Sequence, residues 1–161
     1  MSRDTKWPDK AEGARRELEA LSEPPVCACA KCRAMCRKCA CWPTPDEARR
    51  LIAAGYGDRL MLDSYYLVGE GEGKVFVLMP AAPKHGGERA VSWVKGLGCG
   101  LLFAGRCLLH DQGLKPIDGK LAHHAVRYGW GFYYKIALTW TTPGAKWLVQ
   151  YWQMHYEKAA R

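Results

Sequence analysis

The chain has 161 residues, 48% of them apolar and 25% charged, enough apolar content for one buried core and no sign of a disordered or fibrous composition. Lys and Arg outnumber Asp and Glu by 24 to 16, a formal charge of +8; this favours nucleic acid, anionic surfaces or acidic partners, although a solvated basic surface is the plainer reading. No stretch approaches the roughly 20 apolar residues of a membrane span, and the charged opening MSRDTKWPDKAEGARRELEA lacks a secretory apolar run, so a cytoplasmic protein with reduced thiols is expected.

Residues 1–26 read as a short polar helix and extension. Pro8 opens it, and Pro24 and Pro25 end it. We expect it to pack loosely beside a single domain over 27–161. After a cysteine-rich run at 27–41, WPTPDEARRLIAAGYG carries the clearest helix signal. Thr44 caps it, Pro45 takes the first helical position, Asp46 and Glu47 fill the first turn, and Gly55 ends it. Two strand-like runs follow, RLMLDSYYLV and KVFVLMP, joined by GEGEG as a hairpin connection. AAPKHGGERAV is a loop. The segment from Gly98 to Lys120 predicts a second hairpin with Ala104 and Gly105 at its tip, then a turn-rich tail. AHHAVRYGWGFYYKIALTW is apolar and aromatic, and its pattern does not separate strand from helix. The C-terminal segment predicts a helix capped by Thr142 with Pro143 at its start. Its apolar stripe is Trp147, Leu148, Tyr151, Trp152 and His155. The fold class is α+β: a small, loop-rich domain of short antiparallel hairpins and capping helices, stapled by metal at the cysteine cluster.

Six of the eight cysteines occupy the run CACAKCRAMCRKCAC: Cys27, Cys29, Cys32, Cys36, Cys39 and Cys41. Cysteines one or two residues apart bridge each other poorly, and the expected compartment is reducing. Packing explains a helical stripe of Cys29, Cys32, Cys36 and Cys39 but ignores Cys27 and Cys41. Metal accounts for all six. Paired thiolates at C-x2-C spacing chelate one ion, and zinc takes four such ligands tetrahedrally. Lys31, Arg33, Arg37 and Lys38 lie among the cysteines with no acid between them; they offset the negative charge of a thiolate-rich centre and favour the thiolate form. A solvated basic loop is the plainer reading of these cations. Zinc, one or two ions, is the first expectation. Iron or an iron–sulfur cluster is the alternative, although neither common ferredoxin run is present.

CGLLFAGRCLLH adds Cys99, Cys107 and His110 as candidate ligands. With a two-residue turn at Ala104-Gly105, Phe103 faces Arg106, Cys99 faces His110 and Cys107 points away; with a three-residue loop, Cys99 and Cys107 share a face. A shared site joining the 27–41 run to this hairpin is expected, with Cys32 and Cys99 on opposite walls. His110 is also explained as a polar strand end. Of the adjacent His123 and His124, at most one should ligate if the segment is a strand, and an exposed or hydrogen-bonded histidine is the plainer reading. His85 and His155 read as structural or solvent-facing.

A cysteine cluster running into CWPTPDEARRLIAAG, followed by CGLLFAGRCLLHDQGLKP, resembles the YkgJ-type cysteine-cluster proteins, described as zinc- or iron-chelating domains. Cys99, Leu101, Leu102, Cys107, Leu109 and His110 match that family's later segment, and the likeness covers about residues 27–125. The family often continues with Arg-Pro and a further Cys; here Lys115 and Pro116 are followed by no cysteine. His123 or His124 would stand in, or Cys27 and Cys41 would complete the ligand count. The resemblance implies metal binding and carries no activity.

No His-Glu-x-x-His, Ser/His/Asp arrangement or phosphate-cradling loop is present, and GEGEGK lacks the P-loop pattern. Asp111, beside His110, is the one acid near the hairpin ligands. The balance is away from an enzyme and toward a metal-stapled interaction module with a protein or nucleic-acid partner, no membrane and an open oligomeric state. Iron–sulfur, metal-handling or redox roles are the alternatives.

Overall fold

The computed structural model describes residues 7–68, 73–126 and 128–159. Strands β1 (Leu60–Tyr66) and β2 (Lys74–Pro80) pair antiparallel from Leu60 opposite Pro80 to Tyr66 opposite Lys74. The expected GEGEG connection lies outside the described residues, apart from Gly73. Alternation is lost at one end of this hairpin: Leu60, Met61, Leu62 and Asp63 are all buried, as are Val77, Leu78, Met79 and Pro80. A two-stranded ribbon is marginal alone in water. Here helices α3 (Pro45–Leu51), α6 (Trp130–Thr139) and α7 (Pro143–Tyr156) pack against it.

The cap of α3 forms as expected. The Glu47 amide donates to Thr44 Oγ1 (3.4 Å) and the Thr44 amide donates to Glu47 Oε2 (2.9 Å), a reciprocal capping box. Beyond Leu51 the chain widens into a π turn, and Gly55, at φ +88°, reverses it. Helix α7 is likewise capped by Thr142, whose hydroxyl accepts from the Ala145 amide (3.2 Å).

The apolar stripe expected on α7 divides. Leu148 and Trp152 enter the core with Ala145 and Val149. Trp147 is 58% exposed and stacks on Tyr151, which packs in turn on His155. Five aromatic or apolar side chains on one helix spread wider than the cleft that receives it. The ambiguous aromatic segment is helical over α6, because Phe132, Ile136, Ala137 and Leu138 are all buried. The N-terminal helix α1 (Trp7–Glu19) does not pack loosely. Ala11, Ala14 and Leu18 are buried, and the helix lies along α6.

Three short helices complete the chain: α2 (Ala30–Lys38), α4 (Ser92–Lys95) and α5 (Ile117–Leu121). The second hairpin, β3 (Leu102–Phe103) and β4 (Arg106–Cys107), has Phe103 opposite Arg106. It closes through a two-residue turn in which Ala104 (φ 47°) and Gly105 (φ 76°) are both left-handed, the conformation such hairpins need. Buried Asp63 accepts from Trp42 Nε1 (3.1 Å) and pairs with Lys95 Nζ (2.7 Å). Among the described residues no helix is long and apolar enough to cross a membrane.

Trp152 is fully buried, and its Nε1 donates to Gly57 O (2.8 Å). Trp152→Ala is expected to cost about 3–5 kcal/mol, read as a lower midpoint in chemical denaturation at unchanged slope.

Candidate metal centre

Three thiols and one imidazole converge at the N-terminus of α2. Cys29 is its capping residue, in extended conformation (φ −66°, ψ 162°), and Cys32 lies in its first turn. Cys27 precedes them. His124 comes from the irregular segment between α5 and α6, more than ninety residues away in sequence. Its Nδ1 is 3.5 Å from Cys27 Sγ and 3.4 Å from Cys29 Sγ and Cys32 Sγ. All four ligand atoms lie within 4.8 Å of one another, so the set is close enough to bind a metal ion.

The spacing suits tetrahedral coordination. With Zn–S near ~2.3 Å and Zn–N near ~2.0 Å, a nitrogen-to-sulfur edge is about 3.5 Å. The backbone supports the arrangement, since the His124 amide donates to Cys32 Sγ at 3.3 Å. The His123 ring stacks on His124, with centroids 4.3 Å apart. His123 Nδ1 accepts from the Ala125 amide (3.1 Å), so the inner ring is held from behind. Adjacent histidines would diverge on a strand; this segment is not one, and its two rings lie side by side.

The thiols are not equivalent. The Cys32 amide, in the first turn of the helix, is the main cause that pulls the Cys29 thiol down to about 6, as a helix N-terminus does for a thiolate. Burial pushes the Cys32 thiol up. A metal takes such ligands deprotonated, so its binding releases protons.

His124, not His110, is thus the histidine beside the cysteines. His110 is exposed, in the turn after β4, where its amide donates to Cys107 O (3.2 Å). Cys32 and Cys99, expected on facing walls of one site, belong to different surroundings: Cys32 sits against His124, while the Cys99 amide donates to Cys36 O (2.9 Å). Cys39 is exposed, its Sγ 3.9 Å from Met35 O. Cys36, Cys41 and Cys107 are half-buried and Cys99 is buried. The interleaved Lys31, Arg33, Arg37 and Lys38 all face solvent.

Asp118 is a residue that sequence reasoning did not single out. Its Oδ2 accepts from the Trp42 amide (2.8 Å) and its Oδ1 from Tyr133 Oη (3.3 Å). Burial pushes its carboxyl up from 3.8 to about 6. Its charge in turn helps hold the Cys39 and Cys41 thiols up, after burial itself. The signal available was Pro116 and an acid opening a short helix, a pattern too common to stand out.

Asp118→Ala strands the Trp42 amide and is expected to cost about 1–3 kcal/mol, whereas Asp118→Asn keeps an acceptor. The folded-state pKa is raised, so the stability penalty of ionisation grows between pH 3.8 and about 6 and is complete above. Asp118→Asn should therefore gain on the parent chain as pH rises through that window and show no gain below it, in denaturation midpoints measured across pH. Comparisons of the chain with family models, curated proteins and solved structures return no match.

Proposed function

We propose that this is a zinc-binding protein in which Cys27, Cys29, Cys32 and His124 hold a structural ion. That ion fastens the start of α2 to the segment before α6, and the basic domain so held serves as an interaction module for an acidic partner. The observation that carries this reading is the set of three 3.4–3.5 Å distances from one imidazole nitrogen to three sulfurs. A Cys3His donor set is a common closed zinc site, and zinc in such sites contributes folding free energy outright. The net charge of +8 and the solvent-facing cations of α2 supply the field for an acidic partner. The likeness to YkgJ-type chelating domains points the same way and is part of this proposal.

A second reading has its own support. Cys27 and Cys29 are half-buried and His124 is exposed, so a chelator or an acceptor protein can reach the ion. Metal storage or delivery suits such a site.

Elemental analysis and a visible spectrum of chain purified without oxygen test the metal. Colourless protein with stoichiometric zinc is expected; a brown sample containing sulfide would overturn the reading in favour of iron–sulfur chemistry. His124→Ala should lower zinc content by about one ion per chain, and His110→Ala should leave it unchanged. Chelation that also lowers the melting temperature supports the structural role, whereas chelation that leaves the fold intact supports metal handling.

A further inference from the structure

Helix α2 has two unlike sides. Cys32 is buried against His124, and Cys36 O accepts from the Cys99 amide (2.9 Å), so this side faces the domain. Lys31, Arg33, Arg37 and Lys38 face solvent, together with exposed Ala30 and half-buried Ala34. At about 3.6 residues per turn these residues fall into an order. Arg33 and Arg37, one turn apart, form a row along one flank of the helix. Lys31 and Lys38, two turns apart, form a row along the other. Ala30 and Ala34 run between the rows, on the side away from Cys32.

These cations have no counterweight. The sequence contains no acid between Glu23 and Asp46. Among the described residues, none of the four takes part in an ion pair. Other helices pair theirs: Arg15 bridges Glu12 and Glu19, Arg49 meets Asp46, and Lys135 meets Glu17. The arrangement also works against the helix. Arg33 and Arg37 repel each other across one turn, and Lys31 and Arg33 stand near the positive end of the dipole. Only Arg37 and Lys38, in the last turn, suit it. Helix stability therefore does not account for both rows, whereas an external anion does.

We infer that the solvent face of α2 is a docking surface for duplex DNA, the helix lying in the major groove with its two rows of cations on the two phosphate backbones. This rests on the reading of the domain as a module for an acidic partner, and names that partner. A helix about 10–12 Å across fits a major groove about 12 Å wide. One phosphate strand borders the groove on each side, as one row of cations borders the helix. Ala30 and Ala34 keep the ridge between the rows free of bulk, so it can approach the groove floor. They carry no hydrogen-bonding side chain to read base edges, so the contact is with the backbone and independent of sequence. Arginine forks suit phosphate oxygens in pairs. The groove of an RNA duplex is too narrow to admit the helix. An acidic protein fits less well. Protein interfaces draw their affinity from buried aromatic or other large anchors, and between these rows the face offers two alanines.

The test is the fluorescence anisotropy of a labelled DNA duplex of mixed sequence, titrated with the full chain over a range of salt. Four phosphate contacts give a slope of about −3.6 in log K against log salt, roughly a 100-fold loss of affinity between about 50 and 200 mM. Arg33→Ala with Arg37→Ala should flatten that slope by about 2 and weaken binding at low salt. Lys74→Ala with Lys146→Ala takes the same charge from exposed positions on β2 and α7 and should change neither. Equal losses from the two pairs would mean that net charge alone acts, and would overturn the proposal. A single strand or an RNA duplex that binds as tightly as the DNA duplex would also overturn it. Polyglutamate serves as competitor and should displace the duplex poorly. If it displaces the duplex at equal charge concentration, an acidic protein is the partner; the module reading then stands and the DNA proposal fails. If the chain binds neither polymer, both fail. Circular dichroism and zinc content unchanged from the parent chain show that a variant is folded. Where a variant is not, the parent chain's salt slope and the competition decide.

Discussion

The structure depends on a stretch of chain that cannot hold itself. Between Leu18 and Trp42, the buried apolar side chains are Cys32 and Ala40 alone. Helix α2 has nine residues and no side-chain cap at its N-terminus, well short of the length at which an isolated helix persists in water. Its cations face solvent and contribute little. What fixes α2 is therefore directional: the contacts of Cys29 and Cys32 with His124 at its start, and the backbone bond from Cys99 to Cys36 near its end. Burial organises the rest of the molecule, while a few directional contacts organise this part.

The two regimes meet at Trp42 and Pro43. The Trp42 indole donates to Asp63 on β1 and its amide to Asp118 on α5. Its ring stands edge-on to Tyr65 and Tyr133 at 5.6 and 5.7 Å. Trp140 Nε1 donates to Pro43 O (2.9 Å). Each of these groups would be costly to bury without a partner. The residue next to Cys41 is thereby tied to the sheet and to two helices. A displacement of Cys41 passes directly into the core, and core packing in turn sets where Cys41 can stand.

Local chemistry was legible in the sequence, and long-range geometry was not. Thr44 and Thr142, each followed by proline, announce helices because capping is decided within four residues. The strand-like apolar runs LMLDSYY and KVFVLMP, joined by a glycine-rich connection, mark a hairpin for the same reason. Helix α6 was ambiguous because its aromatic residues suit either element and burial reaches most of its faces. The cysteine run declares metal by density alone. His124 was one of two adjacent candidates that the sequence could not separate, because it stands more than ninety residues from the cysteines and His123 beside it offers the same chemistry. At the second hairpin the turn was legible, but strand alternation does not extend to Cys99, because each paired strand is only two residues long.

The separation between Cys32 and His124, 92 residues along the chain, also sets an order of events during synthesis. At 5–20 residues per second, about 5–20 s pass between the emergence of the first three thiols and that of the imidazole that completes them. For that interval the nascent chain presents six thiols within fifteen residues and lacks His124. The proposed Cys3His set can therefore close only when the last third of the polypeptide has begun to emerge.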